Sequence, residues 1–163
     1  IKPSEVERFN DYKIQKFKNK TYPIFSNIEF NLHGSCNRRC AFCPRVDESI
    51  WPNLDEEFDM KLFENILDQL RELNYSGRLA FSGFSEPFMH SRIEDIIEKI
   101  SKTLPKARSE IITNGDYLKL ENTKRIFELG LDHLFVSLYT NKKTHDYLTT
   151  LKNSLNLDDS KLG

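Results

Sequence analysis

No apolar run in the 163-residue chain approaches the length needed to cross a bilayer, and no signal peptide opens it. The formal net charge is -1, so nothing draws the whole molecule towards nucleic acid or an anionic membrane. Neither a low-complexity tract nor an internal repeat is present. Cysteine is scarce as well: the chain has three, Cys36, Cys40 and Cys43, all within eight positions. Thiols so clustered, with no partners elsewhere, exclude a disulfide framework and point to a reducing, cytoplasmic setting. What remains is an ordinary soluble composition, 38% hydrophobic and 30% charged, long enough for one domain with a real core.

The hydrophobic pattern fills that domain with alternating elements. Strands are predicted at 27–32 (NIEFNL), 78–82 (RLAFS), 109–113 (SEIIT) and 132–138 (DHLFVSL). Between them, 59–73 carries Met60, Phe63, Ile66, Leu67, Leu70 and Leu73 at helical spacing. Ser91 and Glu94 read as a capping box for a helix with a stripe of Ile93, Ile96, Ile97 and Ile100. A third helix spans 120–129, with Leu120, Ile126, Phe127 and Leu129 apolar and Gly130 suited to its left-handed cap. A fourth is expected at 142–152. Four strand–helix alternations argue for an α/β fold of parallel β/α units with right-handed crossovers.

The predicted organisation is an N-terminal segment 1–26, helical over residues 4–19, then a core at 27–152 and a polar tail at 153–163, truncated or disordered. Ending the sheet at the fourth strand leaves an open edge that another segment must cover.

In such folds chemistry collects in the loops at the carboxyl ends of the strands. Here the first loop holds the cysteines, the second SGFSEP (82–87) and the third TNG (113–115), and the fourth strand ends in VSLY (136–139). A C-x3-C-x2-C loop lets three thiolates bend around one centre, which suits zinc or an iron–sulfur cluster. With zinc, His33 completes a Cys3His set and the protein is a zinc-stabilised interaction module. With a four-iron cluster, one iron lacks a protein ligand. Cysteines serving only as small buried hydrophobes fit poorly among polar and basic neighbours.

Together, CNRRCAFC (36–43), SGFSEP, ITNG and VSLY resemble the radical SAM (radical S-adenosylmethionine) superfamily, in the family's motif order over residues 27–148. The resemblance implies a partial parallel (β/α) barrel, since the family core has six units and four are visible. Residues completing the barrel, including any cysteine-rich C-terminal extension, are expected outside this sequence. It implies that Cys36, Cys40 and Cys43 hold a 4Fe–4S cluster, and that the fourth iron binds S-adenosyl-L-methionine. Reductive cleavage then gives a 5′-deoxyadenosyl radical that takes hydrogen from a small metabolite, sugar or peptide, with oxidation favoured. An electron donor such as flavodoxin or ferredoxin is the implied partner.

By the same resemblance, Gly83, Ser85 and Glu86 face the methionine ammonium, with Glu86 as its matching carboxylate. Phe42 borders the adenine, Asn114 shapes the pocket floor and Ser137 faces the ribose or methionine carboxylate. Phe84 and Ser85 stand where the family often has glycine. Each residue also has a plainer reading: a solvated turn for Glu86, core packing for Phe42, an Asn-Gly turn for Asn114, a satisfied hydroxyl for Ser137. Arg38, Arg39 and Arg45 surround the cysteines, either as cations tuning an anionic cluster or as a solvated basic loop. A relative that binds a cluster but does no chemistry is the remaining alternative.

Overall fold

The computed structural model describes residues 14–17, 20–23, 25–139 and 142–163. Its first elements overturn an expectation. β1 (Ile14–Phe17) and β2 (Lys20–Pro23) form an antiparallel hairpin where a helix was predicted, pairing Ile14 with Pro23 and Phe17 with Lys20. Apolar residues at 14 and 17 alone cannot give a helix a continuous buried stripe, while Ile14, Phe17, Thr21 and Tyr22 favour extended backbone. The rest of the predicted helix lies outside the described residues.

The core follows the predicted plan. β3 (Asn27–Phe30), β4 (Arg78–Phe81), β5 (Arg108–Thr113) and β6 (His133–Val136) form one parallel sheet in chain order. Registers run from Asn27 opposite Arg78 on one side to Thr113 opposite Val136 on the other. Between the strands lie α1 (Met60–Glu72), α2 (Ile93–Thr103) and α3 (Leu120–Glu128), and α4 (Lys142–Ser154) follows the last. Asp59 caps α1 by accepting from the Leu62 N–H at 2.7 Å. Phe63, Leu67 and Leu70 of α1 and the four isoleucines of α2 join Phe30, Leu79, Phe81, Ile111 and Leu134 in one core. Each such side chain contributes about 1.5–3 kcal/mol by leaving water.

Two local readings change and a third holds. The cap of α2 is Arg92, not Ser91, and makes no side-chain cap bond. Ser91 gives both its N–H and its hydroxyl to the Glu57 carboxylate, which takes the place the Glu94 carboxylate would have in the expected box. Leu120 is 44% exposed rather than core, because the buried face of α3 is Thr123 and Ile126. Gly130 does take the left-handed conformation, at φ +104°.

The tail is paired with the sheet rather than lying free of it. Leu134 N–H donates to Lys161 O at 2.7 Å, Val136 N–H to Gly163 O at 2.8 Å, and Gly163 N–H to Leu134 O at 3.1 Å. Leu162, 4% exposed, packs into the core. Residues 161–163 therefore cover the β6 edge, the protection an edge strand needs. Among the described residues no helix is long and apolar enough to cross a membrane.

Candidate active site

Beyond β3 the chain runs through buried Leu32 and His33 and is met by an antiparallel return. Gly34 N–H donates to Glu56 O at 2.7 Å, Leu54 N–H to Gly34 O at 3.1 Å, and Phe58 N–H to Leu32 O at 2.9 Å. This ladder closes residues 35–53 into a loop with fixed ends. Inside it Cys43 N–H bonds Cys40 O at 2.9 Å, and Cys43 opens a 3-10 turn, Pro44–Val46. All three cysteines are free and only partly buried. Burial pushes the Cys36 thiol above its ordinary value, against the backbone bond from Arg38.

The cysteine loop is tied to the loop after β5. Arg38 forms a two-pronged ion pair with Asp116, its Nε 2.7 Å from Oδ2, and Asn37 Nδ2 donates to the same oxygen at 2.8 Å. Asn114 Nδ2 donates to Asn37 Oδ1 at 2.7 Å and lies 3.8 Å from Cys36 Sγ. Its hydrogen bond to Arg38, ahead of the opposing burial, holds Asp116 below the usual carboxylate range. Asn37 and Asp116 were not singled out in the sequence, because a partner 79 positions away leaves no local signal.

The second loop completes the arrangement. Gly83 sits at φ +89°, and a Cβ there would collide with the Asn31 side chain, which accepts the Phe84 N–H at 2.9 Å. Glu86 N–H donates to Ser35 O at 3.3 Å, joining this turn to the cysteine loop. Glu86 is 1% exposed, with its carboxylate turned into the protein. It accepts from the Thr113 hydroxyl at 2.6 Å, the Asn114 N–H at 2.9 Å and the Phe88 N–H at 3.2 Å. Burial, with the Asp116 charge adding to it, raises its pKa despite these three donors. Ser85 Oγ is buried with no hydrogen-bond partner among the described residues. Phe42, 68% exposed, lies against Tyr139 with ring centroids 4.7 Å apart. Ser137 is half-buried just past β6, its N–H on Thr113 O at 2.9 Å.

The structure thus joins Cys36, Glu86 and Asn114 in one contact network and brings Phe42 to the end of β6. It does not bring His33 in as a ligand. His33 Nδ1 accepts the Ser35 N–H at 3.1 Å, and Nε2 faces the Asp55 carboxylate at 3.7 Å. Among the described residues no three His, Cys, Asp or Glu side chains converge on a single-ion site.

Comparison with known proteins decides the family. The Radical SAM superfamily model matches residues 30–156. The chain belongs to the radical SAM superfamily. It is 30% identical over 121 residues to the S-adenosyl-L-methionine-dependent 2-deoxy-scyllo-inosamine dehydrogenase of Niallia circulans, covering 74% of this chain and 47% of that one. It is also 30% identical over 130 residues to the tungsten-containing aldehyde ferredoxin oxidoreductase cofactor-modifying protein of Pyrococcus furiosus, covering 80% and 33%. The crystal structure of BtrN in complex with AdoMet and 2-DOIA superposes with a TM-score of 0.72 at 26% identity, over 86% of this chain and 56% of that one. The chain therefore spans about half the length, or less, of these relatives. Membership brings the cofactors, S-adenosylmethionine and a 4Fe–4S cluster, and the residues fit them. The donor set is three thiols free of disulfides on one closed loop, beside a tight glycine turn and a buried hydroxyl without a partner among the described residues.

Proposed function

We propose that the chain forms the cofactor-binding part of an enzyme that oxidises a small hydroxylated metabolite. When bound, the cluster and S-adenosylmethionine supply a hydrogen-abstracting radical after one-electron reduction, a chemistry the polypeptide cannot provide alone. Cys36, Cys40 and Cys43 would hold the cluster. Asn114, 3.8 Å from Cys36 Sγ, would orient that thiolate, and the Arg38–Asp116 pair would keep the loop against the end of β5.

The site for the nucleotide would lie along the strand ends, between the Gly83–Ser85 turn, Phe42 and Ser137. Gly83 lets the backbone approach closely, Ser85 offers its unpartnered hydroxyl, and Phe42 offers an exposed ring for adenine. Glu86 acts as a positioning residue that fastens the second loop to the third. Substrate oxidation is favoured by the likeness to a dehydrogenase and to BtrN in complex with AdoMet and 2-DOIA. A soluble one-electron carrier of the flavodoxin or ferredoxin kind would deliver the electron.

The observation that carries this reading is the link from the cysteine loop to Asn114 and Glu86 across the sheet ends, in a chain that matches the family over that span. The test is anaerobic reconstitution with iron and sulfide. The expected result is a brown protein that releases 5′-deoxyadenosine from S-adenosylmethionine on reduction and oxidises a polyol or amino-polyol. A colourless protein with one zinc, or a cluster that never cleaves S-adenosylmethionine, overturns it.

A further inference from the structure

Three arginines flank the cysteines, and they differ in how their charge is met. Arg38 is paired with Asp116, and Arg39 with Glu48 at the exposed rim. Arg45 is 2% exposed and has no carboxylate partner among the described residues. Its Nη2 donates to Gly34 O at 2.9 Å, and its Nη1 to Asn53 Oδ1 at 2.7 Å and Pro52 O at 3.4 Å. Nε has no hydrogen-bond partner among the described residues, and the Trp51 ring lies 6.0 Å from the guanidinium carbon.

A guanidinium withdrawn from water needs an anion, and neutral carbonyls offset only part of that cost. Every polar contact Arg45 makes is to the cysteine loop's own boundaries. Gly34 lies two residues before Cys36, and Asn53 Oδ1 also accepts the Cys36 N–H at 3.4 Å. Arg45 itself follows Cys43 by two residues. The cation is thus built into the base of a loop whose three sulfurs bind metal as thiolates.

We propose that Arg45 is the fixed counter-charge of the cluster, strengthening thiolate ligation and favouring the reduced state, whereas Arg38 and Arg39 hold the loop's shape. This rests on the cluster assignment above. A positive charge held in low dielectric stabilises each added electron more than a solvated one does. An Arg already neutralised by its own carboxylate contributes little to that balance.

The test is a one-electron redox titration of the reconstituted protein, followed by electron paramagnetic resonance, with iron content measured alongside. Arg45→Gln is expected to make reduction about tenfold less favourable, about 59 mV for one electron. Arg39→Gln should leave the potential where it was. Arg45→Lys, which keeps the charge but not the fork, should show less than half the Gln shift. If Arg45→Gln loses iron altogether while Arg45→Lys keeps it near the wild-type potential, the charge role is upheld. Equal potentials in Gln and wild type overturn the inference. So does a Lys variant that loses iron as completely as Gln, since bracing is then the whole role. Wild-type protein that takes up no iron overturns instead the functional reading, and this inference with it.

Discussion

Two buried carboxylates sit at opposite ends of the same sheet, and their surroundings differ in kind. Glu86, at the carboxyl ends of the strands, is held by a hydroxyl and two backbone N–H groups. Glu110 pairs with His133, opposite it across the β5–β6 ladder, at 3.1 Å, and also with Arg78. Burial alone would raise both. At Glu86 it prevails. At Glu110 the hydrogen bond from His133 and the charge of Arg78 outweigh it, and the pKa falls. The lower end of the sheet is an internally neutralised structural clasp. Among the described residues the upper end leaves its electrostatics incomplete: an anion held by neutral donors, a cation without an anion at Arg45, and a hydroxyl without a partner at Ser85. Arg78 Nε and His133 Nε2 also lack hydrogen-bond partners among the described residues, so the contrast is one of charge: matched within the protein at one end and unmatched at the other, as a site for charged ligands predicts.

The sharpest way to separate the two ends is to remove chemistry from one alone. Cys40→Ala should abolish cluster assembly and release of 5′-deoxyadenosine, while thermal unfolding of the cluster-free protein stays within a degree or two of wild type. Iron analysis and calorimetry check it together. A large loss of apo-protein stability would mean that the thiols are core residues, and the contrast between the ends would fail.

The reverse experiment is Glu110→Gln. Breaking a buried pair strands Arg78 and His133, for which about 3 kcal/mol is expected, at the low end because Arg78 keeps some solvent contact. Urea midpoints should fall accordingly, with iron binding in the surviving folded protein unchanged. Glu86→Gln should be milder for folding, about 1–2 kcal/mol, since it puts an amide where three donors want acceptors. It should cost more in function: S-adenosylmethionine affinity and cleavage should drop, because the second and third loops part. If Glu86→Gln weakens folding without touching S-adenosylmethionine binding, Glu86 belongs with Glu110 as a structural group.

Much of the upper end could be read before the fold, and the reason is locality. The cysteine spacing, the SGFSEP turn and the TNG turn are each contained within one loop, and period-2 and period-3.6 patterns placed those loops on the strand ends. What stayed hidden depends on pairs far apart in sequence. Glu86 reads equally well as a solvated acid in an ordinary turn until Thr113 and Asn114 are brought to it. Arg38, Arg39 and Arg45 look alike until Asp116 and Glu48 claim two of them. Ser91 looked like a helix cap because Glu57 could not be foreseen beside it. The hairpin at 14–23 and the edge pairing of 161–163 escaped for another cause: both are short, polar-rich segments whose strand character comes from neighbours rather than from side-chain alternation.

The smallest expected effect is also the most specific to the comparison, because the two carboxylates should respond to pH with opposite sign. Glu110 has a folded-state pKa below its ordinary 4.5, so it contributes stability above that value and loses it as pH falls through the lower folded one. Glu86 has a folded-state pKa above its ordinary 4.5, so the fold favours its protonated form. Its contribution is complete below that value and is lost as pH rises through the raised one. The stability gap between wild type and Glu110→Gln should therefore widen as pH rises from acid to neutral. The gap between wild type and Glu86→Gln should narrow over the same direction, since Gln resembles the protonated acid and carries no buried charge. Urea unfolding of the cluster-free protein at several pH values measures both gaps in one series. Two gaps that move in parallel would show that the buried acids experience equivalent surroundings, and the distinction between a charge-matched clasp and a site left open to ligands would not survive.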